Sequence, residues 1–375
     1  VEGFQLQIGG FYNALAIVRD VDGPPRLTDG GAVRESKIRR YDFNQRGRFT
    51  IQGSQTLDNG MTIGFHTQYE MQDNMNNNRS YVFADGGFGR VQFGTMYSAP
   101  YLMHVSPPTA GWGIDDTGHD EAFASINGLG YPASMPYYIN RSMNFTYMTP
   151  RFSGFQAGFT FAPDQRNREN RDNRVTTNLS AQNDTFITVD GLGTLRVDGL
   201  DSANIGRDLQ NIVGAAVNYE QSFDTWSLGL SGGFETGEWN QGAKNVLDAA
   251  GINDKRAWSA SAGATVGFGG LNVGAAYNWN NMGRSGFKRH TVTAGITYTV
   301  DRFTFGPSFG AIWDKGRNSG GEREMQVYDF GARYAFAPGV NLVGSIQHAR
   351  YDNGDLSSDY DGSGTAGLFG VMLNF

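Results

Sequence analysis

The segment Thr291-Val292-Thr293-Ala294-Gly295-Ile296-Thr297-Tyr298-Thr299-Val300 divides by parity into two faces. Val292, Ala294, Ile296, Tyr298 and Val300 form one, and Thr291, Thr293, Gly295, Thr297 and Thr299 the other. A period of two marks a strand whose side chains point alternately to either side of a sheet. The same split recurs in Trp258–Phe268, Leu271–Trp279, Trp226–Glu235, Phe303–Asp314 and Met61–Met71. Half-buried strands of soluble sandwiches alternate too. Two features favour a membrane wall. The runs last about 10 to 12 residues, close to the 9 to 11 that cross a bilayer at a tilt. Their polar sets are Gly, Ser, Thr, Asn and Gln, which suit a wetted lining.

Composition points the same way. The chain holds 53 Gly, 26 Phe and 17 Tyr in 375 residues, with hydrophobic residues at 39%. Mean hydropathy is −0.43. That excludes a helical membrane protein, and no stretch approaches the roughly 18 consecutive apolar residues a spanning helix needs. A closed barrel is the other way to satisfy every backbone group inside a bilayer. One such sheet can absorb the whole length, so 1–375 reads as a single barrel domain. A net charge of −7 argues against a nucleic-acid partner. The absence of Cys fits passage through an oxidising periplasm, although many cytosolic proteins lack Cys as well. No signal peptide is visible at Val1, so an exported protein would be present here in its mature form.

Strands are expected at 3–19, 36–57, 61–72, 78–84, 90–97, 141–149, 154–162, 209–221, 226–238, 257–267, 271–282, 290–299, 303–315, 325–336, 340–351 and 364–375, about 16 in all. Long connections (20–35, 98–140, 163–208, 239–256, 316–324) alternate with short ones such as Asp58-Asn59-Gly60 and Gly269-Gly270. That asymmetry is the one between extracellular loops and periplasmic turns, and an even count puts both termini on the periplasmic side. Aromatics gather at strand ends, among them Phe152, Trp226 and Phe303 beside turns and Trp239, Trp279 and Trp313 beside loops. Within 163–208, Thr185–Asp190 and Thr194–Asp198 flank Gly191-Leu192-Gly193 as a hairpin that would raise the count to about 18 if it joined the wall.

Three stretches resemble the general bacterial porin family, the trimeric, 16-stranded diffusion channels of Gram-negative outer membranes. They are Gly86-Gly87-Phe88-Gly89-Arg90-Val91-Gln92-Phe93-Gly94, Thr149-Pro150-Arg151-Phe152-Ser153-Gly154-Phe155-Gln156-Ala157-Gly158, and the aromatic end Leu368-Phe369-Gly370-Val371-Met372-Leu373-Asn374-Phe375. The last is similar to the terminal-Phe strand that the family presents to the outer-membrane assembly machinery. The resemblance implies an outer-membrane homotrimer that passes ions and small hydrophilic solutes passively. It further implies that the long third connection, 98–140, folds into the lumen as a constriction.

A barrel of about 16 strands leaves an aqueous channel, so selectivity needs something inside it. Connection 98–140 carries Asp115, Asp116, Asp120 and Glu121. On the second strand Tyr41, Phe43, Phe49 and Ile51 take the outer parity, which leaves Arg40, Asp42, Arg46 and Arg48 facing the lumen. With Arg79 and Arg141, these arginines match the family's basic cluster on the second, fourth and sixth strands. Arg141 shares parity with Met143, Phe145 and Tyr147, so it points inward only if a bulge or strand start intervenes. Arginines facing carboxylates would set up a transverse field that orients dipolar solutes.

Other chemistry is thinly represented. His66, His104, His119, His290 and His348 show no metal spacing. Asp115–Asp120 and Asp352–Asp361 could hold Ca2+, but no EF-hand spacing is present, and a solvated loop is the simpler reading. The run Arg166–Arg174 suits lipopolysaccharide phosphates or a solvated loop tip. Small Gly10, Ala14 and Ala16 on the outer parity would suit close packing against a neighbouring subunit. A sugar-selective channel would require an aromatic slide along the lumen. An outer-membrane lipase or protease would require a Ser/His/acid or paired-acid constellation, and none is visible, so no enzyme activity is expected.

Overall fold

The computed structural model describes residues 3–27, 33–37, 39–72, 75–114, 122–123, 130–165, 184–189, 193–198, 209–249, 252–316, 322–352 and 361–375. The strands are β1 (Gln5–Leu27), β2 (Val33–Lys37), β3 (Tyr41–Thr56), β4 (Thr62–Glu70), β5 (Asn77–Gly86), β6 (Gly89–Met96), β7 (Ser142–Met148) and β8 (Phe155–Asp164). Then follow β9 (Asp184–Val189), β10 (Gly193–Asp198), β11 (Leu209–Ser222), β12 (Trp226–Trp239), β13 (Ala257–Phe268), β14 (Leu271–Asn280) and β15 (Lys288–Val300). The last four are β16 (Phe303–Lys315), β17 (Arg323–Ala337), β18 (Val340–Asp352) and β19 (Gly362–Asn374). Among the described residues helices α1 (Ala99–Leu102) and α2 (Gln241–Ala249) lie in connections.

The wall runs from β1 through β3–β8 to β11–β19, antiparallel at every step, and β19 pairs back onto β1. It is therefore a closed barrel of 16 strands with no free edge. Among the described residues strands β9 and β10 pair with each other and with no wall strand, so the hairpin forms outside the wall. The expected second strand, 36–57, is described as two pieces that pair with β1 in one register: Gly23↔Ser36 and Asp22↔Lys37 on β2 run on to Val18↔Tyr41 on β3, and the Arg40 carbonyl between them accepts the Arg19 N–H at 2.8 Å. Beside this ladder the Arg39 carbonyl accepts a bond from Arg19 Nε at 2.9 Å. One expectation needs correction. Connection 239–256, read as a loop, contains α2, whose first turn is capped by Asn240 Oδ1 accepting from the Ala243 N–H at 2.8 Å.

Burial is inverted relative to a soluble sheet. On β18, Ile346 is 67% exposed while its neighbour Gln347 is 0% exposed. On β15, Ile296 and Tyr298 are exposed while Thr291, Thr293 and Thr297 are buried. An apolar outside of this extent belongs in lipid, where the same faces have no water to avoid. Between β13 and β14 the turn glycines Gly269 and Gly270 have φ +54° and +86°. Positive φ at both central positions is the two-residue hairpin geometry that matches strand twist.

Around β1 and β16–β19 the inner face is apolar as well. Leu15, Ile17, Ile312, Met325, Val327 and Val343 are buried there in one cluster with Trp112, Ile114 and Phe123 from the 98–140 connection. A second cluster joins Trp239 and Leu247 to Tyr138, Ile139, Ala162 and Ile212.

Candidate functional site

Strands β3 to β6 carry Arg46, Arg48, Arg79 and Arg90 together with Asp42, Glu70 and Asp85. Arg48 lies directly opposite Glu70 across the β3–β4 ladder, and their side chains pair at 2.7 Å. Asn78 Nδ2 also donates to Glu70, at 2.6 Å. Asn78 is an extra residue, because the β4–β5 register steps from Gln68↔Arg79 to Tyr69↔Asn77. Such a bulge re-aims side chains locally. Arg79 donates from Nε and Nη2 to Gln68 Oε1 at 3.2 and 2.9 Å, and Gln68 passes a bond to Thr50 Oγ1 at 3.1 Å. Arg90 pairs with Asp85 at 2.7 Å.

Each of these three guanidiniums is backed by a ring. Arg48 stands over Phe11 at 5.7 Å, Arg79 over Tyr97 at 5.3 Å and Arg90 over Phe83 at 4.3 Å. Cation–π contact and the planar fork together hold an arginine flat and leave fewer rotamers to lose. Tyr97 stacks in turn on Tyr101 at 3.9 Å, and Tyr101 approaches Tyr137 at 5.9 Å. His66 stacks on Tyr81 at 4.9 Å, on the same face of the wall.

The remaining arginines expected at the site are placed differently. Arg46 is half-buried opposite Asn13, on the face that carries Arg48. Arg40 sits just ahead of β3 with an exposed side chain, and its carbonyl accepts from the Arg19 N–H at 2.8 Å. Arg141 has φ +57° and immediately precedes β7, so alternation does not extend to it; its Nε bonds Asn140 Oδ1 at 3.1 Å. Asp115, Asp116, Asp120 and Glu121 lie outside the described residues, as does most of Asp352–Asp361. Among the described residues no group of three or more His, Cys, Asp or Glu could hold a metal.

The described parts of the 98–140 connection bond to the buried face of the wall. Ala99 N donates to Thr160 Oγ1 at 2.7 Å, Val105 N to Ser231 Oγ at 2.8 Å and Trp112 N to Ser345 Oγ at 2.9 Å. Gln347 Nε2 donates to the Gly113 carbonyl at 2.6 Å, and Arg19 Nη1 to the Ala122 carbonyl at 3.1 Å. On the return segment Thr293 Oγ1 donates to Ser134 Oγ at 2.9 Å, and Ser134 contacts His104 Nε2 at 3.1 Å. Burial lowers the pKa of His104 to about 4, so the ring is neutral at pH 7.

Glu235 on β12 gathers both ends of this connection. Its carboxylate is 0% exposed and accepts from the Ser98 hydroxyl, from the Tyr138 N–H at 2.5 Å and from the Ile139 N–H at 3.1 Å. The Tyr138 phenol donates to the Trp258 carbonyl at 3.0 Å, and burial, reinforced by Glu235, raises its pKa. Glu235, Ser231, Ser345 and Gln347 were not singled out from the sequence. A lone carboxylate in the small-residue parity of Trp226–Glu235 was the one available signal.

Comparison with known proteins bears on the whole chain. An uncharacterized protein of Rickettsia conorii (strain ATCC VR-613 / Malish 7) is 22% identical over 412 residues, covering 93% of this chain and 91% of the relative. An anion-selective porin from Comamonas acidovorans superposes with a TM-score of 0.56 at 16% identity, covering 100% of both chains. The trimer form of in-vitro folded OmpT, an outer membrane protein of Vibrio cholerae, gives a TM-score of 0.54 at 10% identity, again covering 100% of both. Residues 7–354 match the family model described as Gram-negative porin. A closed 16-stranded wall with its apolar face outward, matched to that model over nearly its whole length, belongs to the Gram-negative porin family, the channels of the outer membrane.

Proposed function

We propose that the chain is a general diffusion porin that passes ions and small hydrophilic solutes without a chemical step. In this reading connection 98–140 folds into the lumen. Its acids Asp115, Asp116, Asp120 and Glu121 face Arg46, Arg48 and Arg79 across a water-filled gap, with Arg40 and Arg141 contributing at the margin. The observation that carries it is the row of bonds from Ala99, Val105 and Trp112 to the buried faces of β8, β12 and β18, strands of the wall other than the β3–β6 that carry Arg46, Arg48 and Arg79. Fixed charges of opposite sign across a narrow passage orient dipolar solutes and separate cation from anion paths. The working form is a homotrimer in outer-membrane lipid, with lipopolysaccharide around the loops. The trimer form of the Vibrio cholerae relative supports that assembly.

The test is a planar-bilayer recording. The wild-type protein is expected to insert as triplet steps of ohmic conductance. Replacing Arg46 and Arg48 together by Ala is expected to raise cation preference in the reversal potential, and an unchanged potential removes them from the filter. The stacked run Arg79–Tyr97–Tyr101–Tyr137 favours a second reading, a channel selective for sugars or oligosaccharides. Saturable block of conductance by a titrated sugar supports that reading, and linear behaviour supports free diffusion.

A further inference from the structure

Glycine inside a strand weakens it, because the backbone loses more freedom and no side chain packs. Yet the inner face of the wall places Gly214, Gly263, Gly274, Gly295, Gly310 and Gly331 under the 98–140 connection. None has a positive φ, so backbone conformation does not demand glycine there. Space does. A Cβ on Gly263 would collide with the Val105 carbonyl, one on Gly295 with the Pro108 carbonyl, and one on Gly331 with the Gly111 amide. On Gly310 it would meet Ile114 and Pro132 at 2.7 Å, and on Gly214 it would meet Pro100 at 3.0 Å.

Two of these glycines stand beside a serine in the same arrangement. Gly263 is paired across the ladder with Ser231, and Gly331 with Ser345. At the first pair the Val105 carbonyl rests on the glycine while the Val105 N–H donates to Ser231 Oγ at 2.8 Å. At the second, Gly111 rests on the glycine while the next N–H, that of Trp112, donates to Ser345 Oγ at 2.9 Å. Each pair supplies a bare patch of backbone for close approach and a hydroxyl that fixes the register of what approaches. Main chain seated this way lies as near the wall as a second backbone can.

We infer that the pairs Gly263/Ser231 and Gly331/Ser345 are clamps that set how far the connection stands off the wall, and therefore the free cross-section for solutes. The inference rests on the constriction reading above, and makes pore size a property of wall residues that carry no charge. The test is single-channel conductance and the solute exclusion limit of the full-length protein in liposomes, for Gly263→Val and Gly331→Val. Each Val drives the main chain toward the pore axis, and conductance is expected to fall at least about twofold with a smaller exclusion limit. Gly232→Val is the control: it lies on β12 beside Ser231, and a Cβ there meets nothing within 4 Å. It is expected to leave conductance unchanged.

An unheated gel band at the oligomer mass, matching that of the wild type, shows that each variant has assembled. Unchanged or raised conductance in both assembled Val variants overturns the clamps while leaving the porin reading intact. A wild-type protein that assembles but does not conduct overturns both. If a Val variant fails to assemble, Gly263→Ala and Gly331→Ala decide the question by the same readouts.

Discussion

The carboxylate of Glu235 accepts the backbone N–H of Tyr138 at 2.5 Å across 97 residues of sequence, and that bond ties the exit of the 98–140 connection to the wall where Ser98 ties its entrance. Replacing Glu235 by Ala strands one hydroxyl and two backbone N–H groups in a buried place. At about 1 to 3 kcal/mol for each unsatisfied group, the docked connection is expected to lose several kcal/mol. Limited proteolysis within 98–140 should accelerate while the barrel itself stays resistant to heat. Equal cleavage rates in E235A and wild type would remove the staple.

Arg48 and Arg79 differ in compensation, which predicts different electrical effects. Arg48 is paired with Glu70, whereas among the described residues Arg79 has Gln68 and no carboxylate ion pair. The double variant R48A/E70A is expected to leave the reversal potential near its wild-type value. R79A alone should shift it toward cations, with little effect on assembly. If the neutral double variant shifts the potential more than R79A does, the charges have been assigned to the wrong residues.

Acid should loosen the connection. The folded-state pKa of His104 is about 4, below the 6.5 of a free imidazole. Stability from its neutral form is therefore complete above pH 6.5 and is lost as the pH falls toward 4, to a maximum of about 3 kcal/mol. Hydrogen exchange of peptides spanning 99–114, corrected for intrinsic rates, should show less protection at pH 4.5 than at pH 7. His104→Gln should flatten that difference, and a pH dependence that survives the substitution would point to another group.

The two faces of β18 should respond oppositely to polarity. Ile346→Arg puts a charge on the lipid face, at a cost of about 2 to 4 kcal/mol near the midplane. Gln347→Leu leaves the outside untouched but removes the donor to Gly113 and to Asp329. Urea unfolding in bilayers should therefore fall steeply for I346R. For Q347L the larger change should be the mobility of 99–114. Equal unfolding midpoints for I346R and wild type would place Ile346 away from lipid.

The wall was legible because its signal is local. Alternation in Thr291–Val300 falls within β15, and the turn Gly269-Gly270 joins β13 to β14 where expected. The interior was less legible because its partners are distant in sequence. Leu15 and Val327 face inward although they are apolar, and they share one buried cluster with Trp112, Ile114, Ala122 and Phe123, brought from the 98–140 connection. Parity alone cannot assign a face when both faces are apolar. Arg141 escaped the rule through a positive φ, and Asn78 through a bulge, features with no counterpart in a hydropathy pattern. Glu235 stands out in its strand as a lone carboxylate among small residues, but its role is defined by Ser98, Tyr138 and Ile139, which lie far from it in sequence.

Closure by β1 and β19 has a kinetic meaning. The ladder from Phe11↔Asn374 to Val21↔Gly364 joins segments roughly 350 residues apart, near the limit of what this chain can separate. Loop closure over such a span is slow and entropically costly, and nothing in the first strand can be satisfied on that side until the last has been made. Throughout synthesis and transit the edge of β1 is thus an open template for pairing with any passing strand. The two ends are therefore the last parts of the wall to be satisfied, and the same closure that leaves the finished barrel without an edge leaves the unfinished one with its edge open for longest.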